Sequence, residues 1–324
     1  VRDDGRPLSP TDAAALIADP RHRTRVSVLY DHAVLAVDLR DPAEHELGAL
    51  RRLPSVVVGV GCEPGDARAA AVDVVVPDDD SLATLAAHVY ANPQAAVTLV
   101  QTLRVQEHLD PYDALVVESL AYATLQRGIE YEGWLATQPR RVRPPNEAPL
   151  RVEHDGDRAV ITFDRPRLFN AFDAATRDAL AEVLTSLPAS TSEIVLQGEG
   201  RSFGIGGDLA EFGSVSDPAT GHLIRSTANV APLLWVWRDK LVAHVHGPVV
   251  GAGVELAAVA GRVVADPAST FSLPEVSMGL IPGAGGTVSV ARRIGRQRAA
   301  WFAITGERID ASTALAWGLV DALR

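Results

Sequence analysis

The 324-residue chain reads as an α/β protein. Short apolar runs of strand length alternate with amphipathic stretches of helical period along most of it. Glycine-rich turns close several of those runs, notably after Gln197 and after Val250. Although 47% of the residues are hydrophobic, no uncharged apolar run approaches the ~18 residues of a membrane span, so no membrane partner is expected. A formal net charge of −11 argues against nucleic acid as a partner. Cys62 is the only cysteine, which excludes an internal disulfide framework and suggests a reducing, cytoplasmic setting. The opening VRDDGRPLSP is charged and lacks the apolar core of a signal peptide. Met278 is the only methionine, so Val1 is no initiator and the chain reads as trimmed.

In the first half, Ala33 to Val37 and Val56 to Val60 predict short strands, with a helix between them over Glu44 to Leu53. Cys62 to Asp66 is a turn, and Cys62 itself reads as a small buried residue and not as a nucleophile. Val72 to Val76 predicts a strand. Asp80 can cap a helix carrying Leu82, Leu85, Ala86 and Val89 on one face. Asn92-Pro93 ends that helix and starts a second, through about Leu103. Asp110-Pro111 opens a third, with Ala114, Val117, Ala121 and Leu125 as its apolar stripe. An arginine- and proline-rich linker follows over residues 139–149.

The second half starts at Leu150. Arg158 to Phe163 predicts a strand, and Asp173 caps a helix with the stripe Leu180, Val183, Leu184 and Leu187. Glu193 to Gln197 is a strand feeding the glycine-rich loop 198–208, which ends in Asp208 before a helix expected from Leu209. Residues 221–240 and 297–317 carry further helical patterns.

The stretch from Leu241 to Gly286 holds the chemistry. Leu241 to Val245 is a buried strand, Gly251-Ala252-Gly253 a tight turn, and Val254 to Ala260 a helix. A helix opened this way aims free N–H groups and a positive dipole end above the turn, with Glu255 in its first turn. A strand over Arg262 to Ala265 leads to Phe271-Ser-Leu-Pro-Glu275, a second carboxylate on a proline-stiffened segment, and Ile281-Pro-Gly-Ala-Gly-Gly286 closes the stretch. Two glutamates and a helix N-terminus on rigid turns are parts for acid/base work beside an oxyanion hole. A dinucleotide fingerprint at Gly251-x-Gly253 is the competing reading. Leu256 occupies its third glycine position, and Glu275 follows a proline where a strand end is required.

The ordered motifs Arg165-Pro-Arg-Leu-Phe-Asn-Ala171, Ser202-Phe-Gly-Ile-Gly-Gly-Asp-Leu209, Gly251-Ala-Gly-Val-Glu-Leu256, Phe271-Ser-Leu-Pro-Glu275, Gly279 to Gly286, Gly306-Glu-Arg-Ile309 and Gly318-Leu-Val-Asp321 resemble those of the crotonase (enoyl-CoA hydratase/isomerase) superfamily. The resemblance covers about residues 150–324. It implies a crotonase-like ββα spiral core, a homotrimer or dimer of trimers, and an acyl-CoA thioester as substrate, with coenzyme A part of that substrate and no separate cofactor or metal. By motif position, the backbone N–H groups of Gly207 and Ala252 would form the oxyanion hole, the latter where glycine is usual. Glu255 and Glu275 would be the acid/base pair; Gly283, with Pro282, would position the water. Phe169, Asn170, Ala171, Phe203, Gly204, Ile205, Gly206 and Asp208 would hold the CoA and substrate. Close carboxylates resist double ionisation, so the pair is expected to keep a proton near neutral pH.

The implied activity is hydration of a 2-enoyl-CoA by a lyase of fatty acid metabolism. The same scaffold elsewhere supports isomerisation, decarboxylation, hydrolysis and oxygenation, and a catalytically silent scaffold is the alternative from another class. The chain departs from the pattern at Phe169, at Gly204 and at His244-Val-His246, and His246 is placed where it could tune substrate choice. Relatives continue past the Gly-Leu-Val-Asp motif into about three helices over the acyl pocket. Here residues 71–138 resemble those helices, through Ala71 to Asp80, Tyr122 to Leu125 and Glu132-Gly133. The expected organisation is therefore a small α/β segment over 1–70, the relocated covering helices over 71–138, the linker 139–149 and the core 150–324. Tyr122, Tyr131 or Trp134 is expected near the acyl pocket.

Overall fold

A computed structural model describes residues 6–40, 47–139, 148–215 and 217–324. The fold is mixed α/β, as the alternation predicts. The first half contains α1 (Pro10–Ala18), α2 (Pro20–Arg25), β1 (Val34–Asp38), β2 (Val56–Val60) and β3 (Val74–Val76), followed by α3 (Asp79–Ala91), α4 (Pro93–Gln106), α5 (Pro111–Leu125) and α6 (Ile129–Thr137). The three strands make a parallel sheet in the order β1-β2-β3. Between β1 and β2, the described part of the expected helix is only a 3₁₀ turn, Gly48–Arg52, while residues 41–46 lie outside the described residues, as does most of the linker.

Capping chemistry sets the helix starts. Asp78, not Asp80, caps α3 by accepting from the Ser81 N–H at 2.8 Å, and Asp80 sits in the first turn. Asp110 caps α5 through the N–H groups of Tyr112 and Asp113, with Pro111 at the first helical position. The buried face of α5 differs from the expected stripe: Leu115, Glu118, Ser119 and Ala123 join Ala114 and Leu125, while Val117 and Ala121 are only half-buried. Helix α5 packs on two sides, against α4 and against a later helix, so a one-sided apolar stripe does not describe it.

The second half comprises β4 (Leu150–Asp155), β5 (Arg158–Phe163), α7 (Ala174–Ser186), β6 (Glu193–Gly198), α8 (Pro218–Ala228), α9 (Ala231–Trp237), β7 (Leu241–Val245), β8 (Pro248–Val250), α10 (Ala252–Val259), β9 (Arg262–Ala265), β10 (Thr270–Ser272), α11 (Gly286–Ile294), α12 (Arg296–Thr305), β11 (Ile309–Asp310), α13 (Ala311–Trp317) and β12 (Ala322–Leu323). Two sheets result, β12-β9-β7-β6-β5-β4, parallel except for β4 on β5, and a small β11-β10-β8 sheet. The helix expected from Leu209 is instead a run of turns: Asp208 accepts from the Ala210 N–H at 2.9 Å and uses its carboxylate on the turn, not on a helix.

One continuous apolar core joins the halves, running from Val56 and Val58 through Leu99 and Leu103 to Val259, Phe271 and Phe302. A buried charge cluster fastens them further. Asp73, 1% exposed, accepts from the Val57 N–H at 2.8 Å, pairs with Arg104 from α4, and takes Arg296 from α12 at 3.2 Å. Arg104 also donates to the carbonyls of Leu53 and Ser55. Removing the carboxylate would leave the buried Arg104 without its charge partner and Arg296 with only Glu107, at 3.7 Å. Asp73→Ala is therefore expected to cost about 3–5 kcal/mol, read as a lowered denaturant midpoint with an unchanged slope. A loss below about 1 kcal/mol would show that the cluster does not hold the halves together.

Candidate active site

The site grows from the turn between β8 and α10. Gly251 has φ +50 and ψ −122, a conformation that glycine tolerates, and a Cβ there would stand 2.5 Å from Glu275 Oε1. That geometry swings the chain directly into α10, with Ala252 as its first residue, so the Ala252 N–H has no partner within the helix. Across from it, Gly206 has φ +95, and Gly207 lies in an isolated bridge with Phe172 whose bonds use the Gly206 carbonyl and the Asp208 N–H. A cavity of about 350 Å³ opens beside Gly207 and Gly251, lined also by Phe169, Ile205, Glu275 and Met278, whereas Ala252, Pro282 and Gly283 are not in its lining.

Five of the eight residues expected to hold the substrate line this cavity: Phe169, Ala171, Ile205, Gly206 and Asp208. Asn170, Phe203 and Gly204 do not; they form the layer beneath. Asn170 is buried, donates through Nδ2 to the Glu199 and Ser202 carbonyls at 3.0 and 2.8 Å, and accepts from the Arg165 N–H. Phe203 is fully buried edge-on to Phe163. Gly204 lies against α10, where a Cβ on Gly253 would meet the Gly204 carbonyl oxygen at 2.3 Å. These three shape the loop and are not in the cavity lining. His246 is also turned aside, with Nε2 3.0 Å from the Gly200 carbonyl oxygen.

Glu255 is 2% exposed, behind the cavity wall. Its Oε2 accepts from the N–H groups of Ala284 and Gly286 at 2.7 and 2.8 Å, so the glycine turn after Pro282 orients it. Glu275 opens a 3₁₀ turn, Glu275–Met278, and its buried Oε2 has no hydrogen-bond partner. A second fully buried glutamate, Glu118 of α5, was not legible in the sequence as a site residue. Its Oε1 accepts from Gly285 N–H at 2.8 Å, and its Oε2 from the Thr287 N–H and hydroxyl. Tyr122, one turn further along α5, lays its ring against Gly283; a Cβ there would sit 2.3 Å from the ring. The Arg225 guanidinium of α8 covers the same ring at 4.5 Å. Tyr131 packs its backbone against Gly279 and stacks on Trp134, which meets Phe212 of the cavity wall.

Burial sets the electrostatics. It raises Glu255 well above the carboxylate range, aided by the charges of Glu275 and Glu118 and opposed by the two N–H donors. Burial pushes Glu275 and Glu118 up to about 7 each, the latter opposed by Thr287, Gly285 and the charge of Arg225. The three titrate as one cluster. Their raised folded values mean that the protonated cluster stabilises the fold below the ordinary 4.5 and that this contribution is lost as pH rises through about 7. Thermal midpoints should fall between about pH 5 and pH 8, and Glu275→Gln should flatten that fall. A wild-type midpoint independent of pH over this window would contradict the assignment.

The family model for enoyl-CoA hydratase/isomerase matches residues 155–324, just over half of the chain. This chain belongs to that family. The 2,3-dehydroadipyl-CoA hydratase of Escherichia coli is 35% identical over 168 residues, covering 50% of this chain and 64% of that protein. A mevalonyl-coenzyme A hydratase from Beauveria bassiana is 32% identical over 175 residues, covering 50% and 61%. The chain thus spans somewhat under two thirds of the length of these curated relatives. Among solved structures, an enoyl-CoA hydratase from Thermoplasma volcanium superposes with a TM-score of 0.51 at 30% identity, covering 55% of this chain and 72% of that one. An enoyl-CoA hydratase/isomerase from Mycobacterium paratuberculosis gives 0.51 at 28% identity, covering 56% and 74%. No helix among the described residues is long and apolar enough to cross a membrane.

Proposed function

We propose that the chain hydrates a 2-enoyl-CoA. The observation that carries this reading is the unlike pair of carboxyls on the two sides of the cavity wall: Glu255 buried behind it and anchored by two backbone donors, Glu275 in the lining with one oxygen unpartnered. Burial lifts both carboxyls; against that common push, the two N–H donors on Oε2 favour the anion at Glu255, and the bare Oε2 of Glu275 takes the shared proton. The thioester oxygen sits between the N–H groups of Gly207 and Ala252. Glu255 takes a proton from a water held near Gly283, the oxygen bonds to the β-carbon, and the electron pair of the double bond moves toward the thioester oxygen. Glu275 then delivers its proton to the α-carbon. Each backbone donor contributes about 3 kcal/mol as negative charge develops on the thioester oxygen. Every proton is supplied by water or a side chain, so the reaction uses no cofactor beyond the coenzyme A of its substrate, and we place the protein in a homotrimer or dimer of trimers. Incubating the full chain with 2-enoyl-CoA thioesters of graded length, with mass detection of a product heavier by one water, tests the reading. Thioesters that return unchanged or isomerised would refute it.

Residues 71–138 fill the place of the helices that cover the acyl pocket in relatives. The supporting contacts are Tyr122 on Gly283, Tyr131 on Gly279, and Glu118 on the turn at Gly285. Residues 150–324 expressed alone should therefore be insoluble, because the face buried by α4 and α5 would be bare. A soluble fragment with a cooperative unfolding transition would refute this arrangement.

A further inference from the structure

We infer that Glu118 is a positioning residue for Glu255: through it, α5 grips the glycine turn that holds Glu255 and sets both the place of that carboxylate and the charge around it. The inference rests on the reading of Glu255 and Glu275 as the acid/base pair. Its basis is an alternation along four consecutive backbone N–H groups. Ala284 and Gly286 donate to Glu255 at 2.7 and 2.8 Å, while Gly285 and Thr287 donate to Glu118 at 2.8 and 3.0 Å. Gly285, at φ +105, turns the successive N–H groups to opposite sides, so a single turn serves two carboxyl groups that arrive from opposite halves of the chain. The turn cannot shift toward one carboxylate without stretching its bonds to the other.

The Glu118 end is itself braced. The Thr287 hydroxyl donates to Glu118 Oε2 at 2.6 Å and accepts from Gln106 Nε2 at 3.0 Å, and Gln106 Nε2 also donates to the Ala114 carbonyl. Bonds from N–H to an ionised carboxylate are the strong kind, so the grip is firmest when Glu118 is charged. A loop tie alone would not require that charge, since a neutral acceptor of similar shape could hold one N–H without burying an anion at 1% exposure. The charge does have a consequence: it raises the proton affinity of both Glu255 and Glu275. Around Glu118 stand Tyr122 on its own helix, Arg225 on α8, Glu255 on α10 and Glu275 ahead of Gly279, whereas Gln106 and Thr287 from α4 and α11 are neutral. Arg225 does not neutralise it by contact; its Nε and NH1 go to Ser119 and Gln126.

The test compares Glu118→Gln and Glu118→Asp with the wild-type full chain. Glu118→Gln places an NH₂ donor against the turn and removes the charge. On a 2-enoyl-CoA that the wild type hydrates, kcat should fall about ten- to a hundred-fold with KM within about twofold, since misplacement of a catalytic group acts on the chemical step. The pH profile of kcat should move to lower pH, because the remaining pair loses a neighbouring negative charge. Glu118→Asp keeps the charge and should return the profile toward wild type even where the rate stays low. Infrared titration of the buried carboxyls without any substrate reads the same displacement, so it decides the role of Glu118 even if hydration itself fails as the reaction. Leu115→Ala on the same helix should lower stability and leave the carboxyl titration unmoved. Wild-type kcat with an unmoved titration in Glu118→Gln would overturn the inference, as would a rate loss matched by Leu115→Ala with no displacement of either profile.

Discussion

Glu275→Gln should lower kcat for hydration by about 10²–10⁴ while leaving acyl-CoA binding within a few-fold of wild type. That range is what a positioned proton donor contributes to a step that must protonate carbon. The amide keeps the size of the side chain and cannot release a proton at neutral pH. Glu275 lines the cavity, and its buried Oε2 has no donor or acceptor to lose, so the substitution disturbs the reacting atoms more than the fold. Glu255→Gln should cost as much by another route. Oε2 of Glu255 sits under two N–H donors, and an amide inserted there either turns its NH₂ against them or keeps its oxygen in place without basicity. Steady-state kinetics with an independent binding measurement check both. Near-wild-type turnover in either variant would remove that glutamate from its role.

Ala252→Pro should abolish hydration while the protein stays folded. Ala252 is the first residue of α10, a position where proline is tolerated because the N–H has no helical partner. The substitution removes one oxyanion donor, worth about 10²–10³ in kcat, and puts ring atoms where the thioester oxygen would lie. Circular dichroism and thermal midpoints should stay close to wild type while turnover is lost. Retained turnover would move the oxyanion hole elsewhere. Gly207→Pro tests the other donor; in both variants the residue before the proline is a glycine at positive φ, Gly251 at +50 and Gly206 at +95, so the folding measurement is part of each test.

The parts legible in the sequence are those whose spacing is a local consequence of backbone geometry. Leu241 to Val245 and Glu193 to Gln197 read as strands because buried parallel strands are short and continuously apolar, and both strands are present with those bounds to within a residue. Asp110 and Asp173 announced their helices because a capping carboxylate acts within three residues. Glu118 was not legible. A charged residue in an amphipathic helix reads as solvated, and only the packing of α5 against the glycine turn, more than 160 residues away, buries it. The helix expected after Leu209 failed because Asp208 uses its carboxylate on a turn two residues on. Asn170 and Phe203 carry motif positions that the structure places beneath the cavity lining, holding the loop, a placement that a motif does not distinguish from the lining itself.

Turnover of a 2-enoyl-CoA in heavy water, followed by mass spectrometry of the product, tests the central claim most directly. Water-derived protons reach the α-carbon through Glu275 in this account. The product should therefore carry one added hydroxyl and one non-exchangeable α-deuterium, and Glu275→Gln should lose both signals together. An isomer that gains deuterium without a hydroxyl, or a hydroxylated product formed equally fast by Glu275→Gln, would contradict it.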